Sequence, residues 1–223
     1  MKDRLEFDSI EVSFGGHKLL SSIYMVCTVG KITGLLGRNG CGKTTLMKIV
    51  FGAMPVDQKS VRVNGRSLGL NYLSERLISY LPQSDLIPPY FTVRKAFLLF
   101  GVDERDLLDL FPEVREMMDL KPSEVSGGYL RIFETFLVLK SKGSFCLLDE
   151  PFTGLTPLYM DKMKDLISAT RSTKGIIVSD HMYKHVTEIS DDLYLLANGQ
   201  TYRVMNDEQL ISLGYLGDSK PIA

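Results

Sequence analysis

Eight consecutive residues constrain this chain more than any others: Gly37-Arg38-Asn39-Gly40-Cys41-Gly42-Lys43-Thr44, which fit the pattern G-x-x-x-x-G-K-[ST]. Their surroundings matter as much as the pattern. Lys31 to Leu36 is a short apolar run between Gly30 and Gly37, which reads as a buried strand. Lys43 to about Phe51 reads as a helix with Gly52 as its C-cap. A glycine-rich loop in that position curls so that successive backbone N–H groups point inward, and the N-terminal amides of the helix add to the field. Such a cradle suits the β- and γ-phosphates of a nucleotide. Lys43 then supplies a positive charge, the Thr44 hydroxyl is placed to ligate Mg²⁺, and Thr45 follows in the same first turn. The Cys41 side chain is expected beside the phosphates, where alkylation would hinder nucleotide binding.

The rest of the chain supplies a frame for that loop. Leu5 to Ser13 alternates and is turned by Gly15-Gly16; Lys18 to Val29 is β-rich and reads as a return strand in an antiparallel layer. Ser60 to Val63 and Ile78 to Leu81 read as strands. Thr92 to Lys140 changes to helical segments broken by Pro112 and Pro122. Strands return at Phe145 to Leu148, Ile176 to Ser179 and Leu193 to Leu196, with a helix over Pro157 to Thr170 that Thr156 would N-cap. Asn198-Gly199 signals a hairpin into Thr201 to Val204. This order implies an α/β fold: a P-loop core on a largely parallel sheet, an antiparallel β subdomain at the N-terminal side and an inserted helical subdomain. The division expected is a core of 1–83 with 141–223, and a helical subdomain of 84–140.

A second site element lies at Phe145-Cys146-Leu147-Leu148-Asp149-Glu150, an apolar strand ending in two carboxylates 106 residues after Lys43. Two acids at a strand end are by themselves more often solvated edge residues. Beside a complete phosphate loop, Asp149 reads as the Mg²⁺ holder, and Glu150 as the group that orients or deprotonates an attacking water.

Composition excludes several classes. With 26 basic and 27 acidic residues the formal net charge is -1, so there is no polyanion footprint and no nucleic-acid partner is expected. The longest apolar runs fall far short of the ~20 residues that cross a bilayer. No secretory signal opens the chain, so a cytoplasmic protein is expected, with only peripheral contact at the inner face of a membrane. Cys27, Cys41 and Cys146 lack metal-ligand spacing, and Cys27 and Cys146 read as small buried apolar residues.

The residues between the loop and the acids narrow the class further. Val125-Ser126-Gly127-Gly128-Tyr129 lies 23 residues (Ser126 to Asp149) before the acidic strand end, Gln83 follows a strand just before the helical insertion, and His181 follows Glu150 by 31 residues. This set resembles the ATP-binding subunits of the ABC family: the S-G-G core of the signature, the Q-loop glutamine and the switch histidine, in order and at the right spacing. The resemblance implies a head-to-tail dimer, homo- or heteromeric, that sandwiches two ATP molecules with Mg²⁺. Ser126, Gly127 and Gly128 would act on the nucleotide of the opposite subunit, Gln83 would contact Mg²⁺ and signal to a transmembrane permease, His181 would contact the γ-phosphate, and Phe14 would stack on adenine. Asp180 to Glu188 and Gly154 to Leu158 look closest to subunits of the lipopolysaccharide-export and branched-chain amino-acid type.

Three residues depart from the family pattern. Tyr129 replaces the Gln or Glu after S-G-G, Leu137 stands where an Arg is common, and Thr156 replaces the D-loop Asp. An active transport ATPase is the leading expectation. A soluble ABC-type ATPase of translation or DNA repair, and a module that binds ATP with weak turnover, are the alternatives. A P-loop kinase would have no use for the S-G-G loop or Gln83.

Overall fold

The computed structural model of the protein describes residues 2–69 and 76–216. The chain opens with β1 (Arg4–Phe14), β2 (His17–Leu20), β3 (Tyr24–Thr28), β4 (Ile32–Leu36) and helix α1 (Lys43–Phe51), then β5 (Gln58–Val63), β6 (Arg66–Ser67) and β7 (Ile78–Leu81). A helical stretch follows: α2 (Val93–Phe100), α3 (Arg105–Leu110), 3-10 turns at Pro112–Met117 and Pro122–Glu124, and α4 (Gly127–Lys140). The remainder alternates: β8 (Phe145–Asp149), α5 (Pro157–Thr170), β9 (Gly175–Ser179), α6 (Tyr183–Ile189), β10 (Asp192–Ala197), β11 (Gln200–Val204) and α7 (Asp207–Ser212).

One sheet runs β11-β10-β4-β9-β8-β7 and is parallel except for the β10–β11 hairpin. Strands β4, β8 and β9 are buried at every position, as apolar strands covered on both faces must be. Because β9 lies between β4 and β8, the loop after β4, the acids after β8 and the Ser179-Asp180-His181 turn after β9 all emerge at one edge. That edge is where open parallel sheets present their ligand sites. The hairpin turn has φ 51° at Asn198 and 75° at Gly199, the two positive values that a tight hairpin turn matched to strand twist requires.

The N-terminal strands form an antiparallel layer around β1. The expected single return strand over Lys18 to Val29 is in fact two. Ser21 and Ser22 both donate their backbone N–H to the Gly199 carbonyl, at 2.8 and 3.2 Å. This draws the chain toward the β10–β11 hairpin, so β2 pairs with the end of β1 and β3 with its beginning.

Helix α4 is buried from Leu130 to Leu139, which accounts for its apolar sequence. Phe136 stacks on Phe97 of α2 with centroids 5.9 Å apart, and Phe133 meets the same ring edge-on. Each such buried ring contributes about 2–3 kcal/mol through the area it removes from water. Leu137, at the position of an expected arginine, is fully buried in this core. Cys27 and Cys146 are buried as expected. Thr156 does stand at the N-cap of α5 with Pro157 at the first helical position, but its hydroxyl makes no capping hydrogen bond.

Candidate functional site

The loop after β4 is shaped by close approach. A Cβ on Gly37 would lie 2.6 Å from Cys41 Sγ and 2.7 Å from the Leu196 carbonyl oxygen, so only glycine lets the loop pass there. Gly42, at φ 108°, turns the chain into α1. Lys43 is nearly buried, and its Nζ donates to the carbonyls of Gly37 at 2.7 Å and Arg38 at 3.1 Å. The ammonium group is thereby held over the loop. Asn39, Gly40, Gly42, Lys43, Thr44 and Thr45 line a cleft of about 390 Å³, whose other walls are Leu19, Gln83 and Glu150.

At the end of β8, Asp149 is 1% exposed and accepts a hydrogen bond from the Tyr80 hydroxyl at 3.3 Å. Burial raises its carboxyl pKa and Glu150 adds to the rise, while hydrogen bonds from Thr44 and Tyr80 and the charge of Arg131 oppose it. Thr44, on the cleft wall, and the buried Asp149 behind it therefore pair one hydroxyl with one carboxylate. This hard-oxygen pair fits Mg²⁺, which favours one or two protein oxygens and takes the rest of its shell from water and phosphate.

Glu150 has φ 58°, a left-handed backbone that is rare outside glycine and costs about 1–3 kcal/mol unless its surroundings impose it. They do so here. Its N–H donates to the Ser179 carbonyl at 2.6 Å, and its own carbonyl accepts from Arg131 Nε at 2.9 Å. The turn aims the Glu150 side chain into the cleft instead of along the strand.

Arg131 is the organising residue that the sequence pattern did not single out. Its buried guanidinium donates to the carbonyls of Glu150 and Asp149 and, at 2.7 Å, of Pro82, the residue before Gln83. Glu134, one turn further along α4, faces Arg131 at 3.6 Å and accepts from the backbone N–H groups of Leu86 and Ile87. One face of α4 thus ties the acidic strand end to the segment around Gln83. The sequence signal was a lone basic residue after S-G-G in an otherwise apolar helix.

The other expected residues lie around this centre. His181 is exposed and lines an adjoining recess with Gly37, Arg38 and Asn39. Its Nδ1 is 3.2 Å from the buried Asp180 carboxylate, which also accepts from the backbone N–H groups of Phe152 and Met182. Burial raises the Asp180 pKa, against those hydrogen bonds and the nearby imidazole. Ser126 and Gly127 are exposed at the start of α4 and do not line the cleft of their own subunit. Phe14 ends β1, and its side chain lies outside the described residues.

Two side chains are not where the motif reading put them. Cys41 turns away from the cleft: its Sγ packs under the loop near Gly37, in a cavity of about 240 Å³ with Leu196 and Tyr215. Burial pushes its thiol pKa up. The reason is local, since Gly37 leaves a hollow on the underside that a small side chain fills. Arg38 also points outward, donating to the Gly214 carbonyl at 2.7 Å.

A family model described as ABC transporter matches residues 20–153. The chain is 29% identical to the lipopolysaccharide export system ATP-binding protein LptB of Haemophilus influenzae, over 96% of this chain and 97% of that protein. It is 27% identical to the LptB protein of Escherichia coli (strain K12), over 92% and 94%. It is 30% identical to the arabinose import ATP-binding protein AraG of Mannheimia succiniciproducens, over 91% of this chain and 44% of that one. Among solved structures, an ATP-binding subunit of an ABC transporter superposes with a TM-score of 0.82 at 22% identity, covering 96% of this chain and 94% of that one. No helix of the described residues is long and apolar enough to cross a membrane. The chain belongs to the ABC transporter family, whose ATP-binding subunits it matches along almost its whole length.

Proposed function

We propose that this chain binds MgATP and hydrolyses it to drive transport by a separate membrane-spanning partner, acting as one of two ATP-binding subunits joined head to tail. The observation that carries this reading is the convergence of Lys43, Thr44 and Glu150 on one cleft, with the buried Asp149 carboxylate directly beside Thr44. The loop amides and Lys43 bind and orient the phosphates. Thr44, Asp149 and Gln83 are the residues to hold Mg²⁺, which supplies charge neutralisation at the phosphates. Glu150, set by its left-handed turn, orients the attacking water and takes its proton, and His181, braced by Asp180, reaches the γ-phosphate from the adjoining recess. Exposed Ser126 and Gly127 are free to face the nucleotide of the second subunit. The core of 1–83 and 141–223 carries the nucleotide. The 84–140 segment, with exposed Leu98, Leu99 and Phe100 on α2, is the part that meets the apolar surface of the permease. A cytoplasmic location at the membrane face follows from that assembly.

Glu150→Gln tests the reading. Phosphate release should stop while ATP binding persists, and MgATP should trap a dimer that light scattering resolves. A wild-type chain that binds ATP but shows no turnover even with its permease would favour instead the ATP-binding module that Tyr129 and the missing Thr156 carboxylate make conceivable.

A further inference from the structure

Tyr129, the residue out of pattern after S-G-G, is engaged within its own subunit. It is the third residue of α4, and Tyr159 is the third residue of α5. Their hydroxyl oxygens are 2.8 Å apart, and their rings are tilted with centroids 5.4 Å apart. Tyr159 also packs against Phe111, and its hydroxyl lies within reach of the Glu113 carboxylate. Either hydroxyl of the pair can donate to the other. The hydrogen bond shared with Tyr129, with burial and Glu113 adding to it, holds the Tyr159 phenol above its usual pKa.

The same two helix starts touch at a second point. A Cβ on Gly128 would lie 2.4 Å from the Gly154 carbonyl oxygen, and Gly154, at φ 74°, lies 3.5 Å from Gly128 N when given a Cβ of its own. Two contacts on different atoms, one backbone and one hydroxyl, therefore join the start of α4 to the start of α5 and the loop before it.

We propose that the Tyr129–Tyr159 pair is a positioning device that locks the Ser126–Gly128 loop to the Gly154–Thr156 loop, so that one subunit presents both to its neighbour as a single rigid edge. This rests on the head-to-tail ATPase reading above. Thr156 lacks the carboxylate that links the two sites in the family pattern, and the pair fastens the same region from inside the subunit. The two tyrosines touch each other and neither lines the phosphate cleft, so their effect falls on arrangement within the dimer and not on ATP capture by one subunit.

The test uses the full chain with Tyr129→Phe, Tyr159→Phe and the double variant, which keep both rings. Each single variant should lower kcat about fivefold with KM for ATP unchanged, and the double variant should be no worse than Tyr159→Phe, because that single change already removes the shared hydrogen bond together with the Tyr159 contact to Glu113. Amide hydrogen exchange should rise at both 126–130 and 153–156 in each single variant. Multiplying effects on kcat, an unchanged kcat, or faster exchange confined to the mutated side would overturn the proposal. If the wild type shows no turnover the hydrolysis reading fails, and exchange at the two loops still decides the tyrosine pair.

Discussion

Arg131 Nε lies 2.9 Å from the carbonyl oxygen of Glu150, so a buried guanidinium on α4 holds the backbone of the residue whose side chain faces the phosphate cleft. The same group reaches the Asp149 and Pro82 carbonyls. One side chain therefore ties the signature helix to the acidic strand end and to the approach to Gln83.

Arg131→Lys should break that unity. A lysine ammonium cannot reproduce a planar fork spread over three carbonyls, and those left without a donor remain buried. We expect a loss of about 2–3 kcal/mol in stability by denaturant titration. Turnover should fall about tenfold or more through misplacement of Glu150. ATP affinity should change much less, because the loop amides and Lys43 are untouched.

Asp149→Asn should raise the melting temperature of the nucleotide-free protein at neutral pH while removing Mg²⁺-dependent ATP binding. The folded-state pKa of Asp149 is raised above 3.8, chiefly by burial. Its contribution to stability is therefore fully present below the unfolded-state value and is lost as pH rises through the folded one. The neutral amide escapes that loss. The gain should shrink as pH falls toward 4, each ~1 kcal/mol corresponding to ~3 °C for a chain of this size. Calorimetry across that range reads the difference directly.

The two signature glycines should respond differently to alanine. At Gly128 the new Cβ meets the Gly154 carbonyl, so backbone must shift, and we expect a cost of about 2 kcal/mol, or ~6 °C. At Gly127 nothing lies within 4 Å of the new Cβ, so stability should hold or rise by up to ~1 kcal/mol. Equal thermal shifts for the two variants would contradict this geometry.

Cys41 should react slowly with maleimide near neutral pH, and MgATP should not protect it, because its thiol lies under the loop and not in the cleft. Burial raises its pKa above 9.0, so the rate should keep climbing with pH beyond that of an ordinary thiol. Mass spectrometry with and without nucleotide checks both points.

Features that depend on neighbouring residues were legible from sequence alone. The phosphate loop follows from glycines between an apolar run and a helix, the hairpin from Asn198-Gly199, and the acidic edge from an apolar strand ending in Asp149-Glu150. Each is a short stretch whose backbone chemistry admits few alternatives. The order of apolar runs likewise implied a parallel sheet, which then brings three strand ends to one edge. Tertiary packing decided the rest, because it joins residues that no local pattern relates. Arg131 reaches Pro82 across 49 residues, Tyr129 meets Tyr159 across 30, and the contact between Gly199 and Ser21 splits one expected strand into two. The left-handed turn at Glu150 and the inward turn of Cys41 are of the same kind. Both depend on which side of the chain has room, and only the packed neighbours define that space.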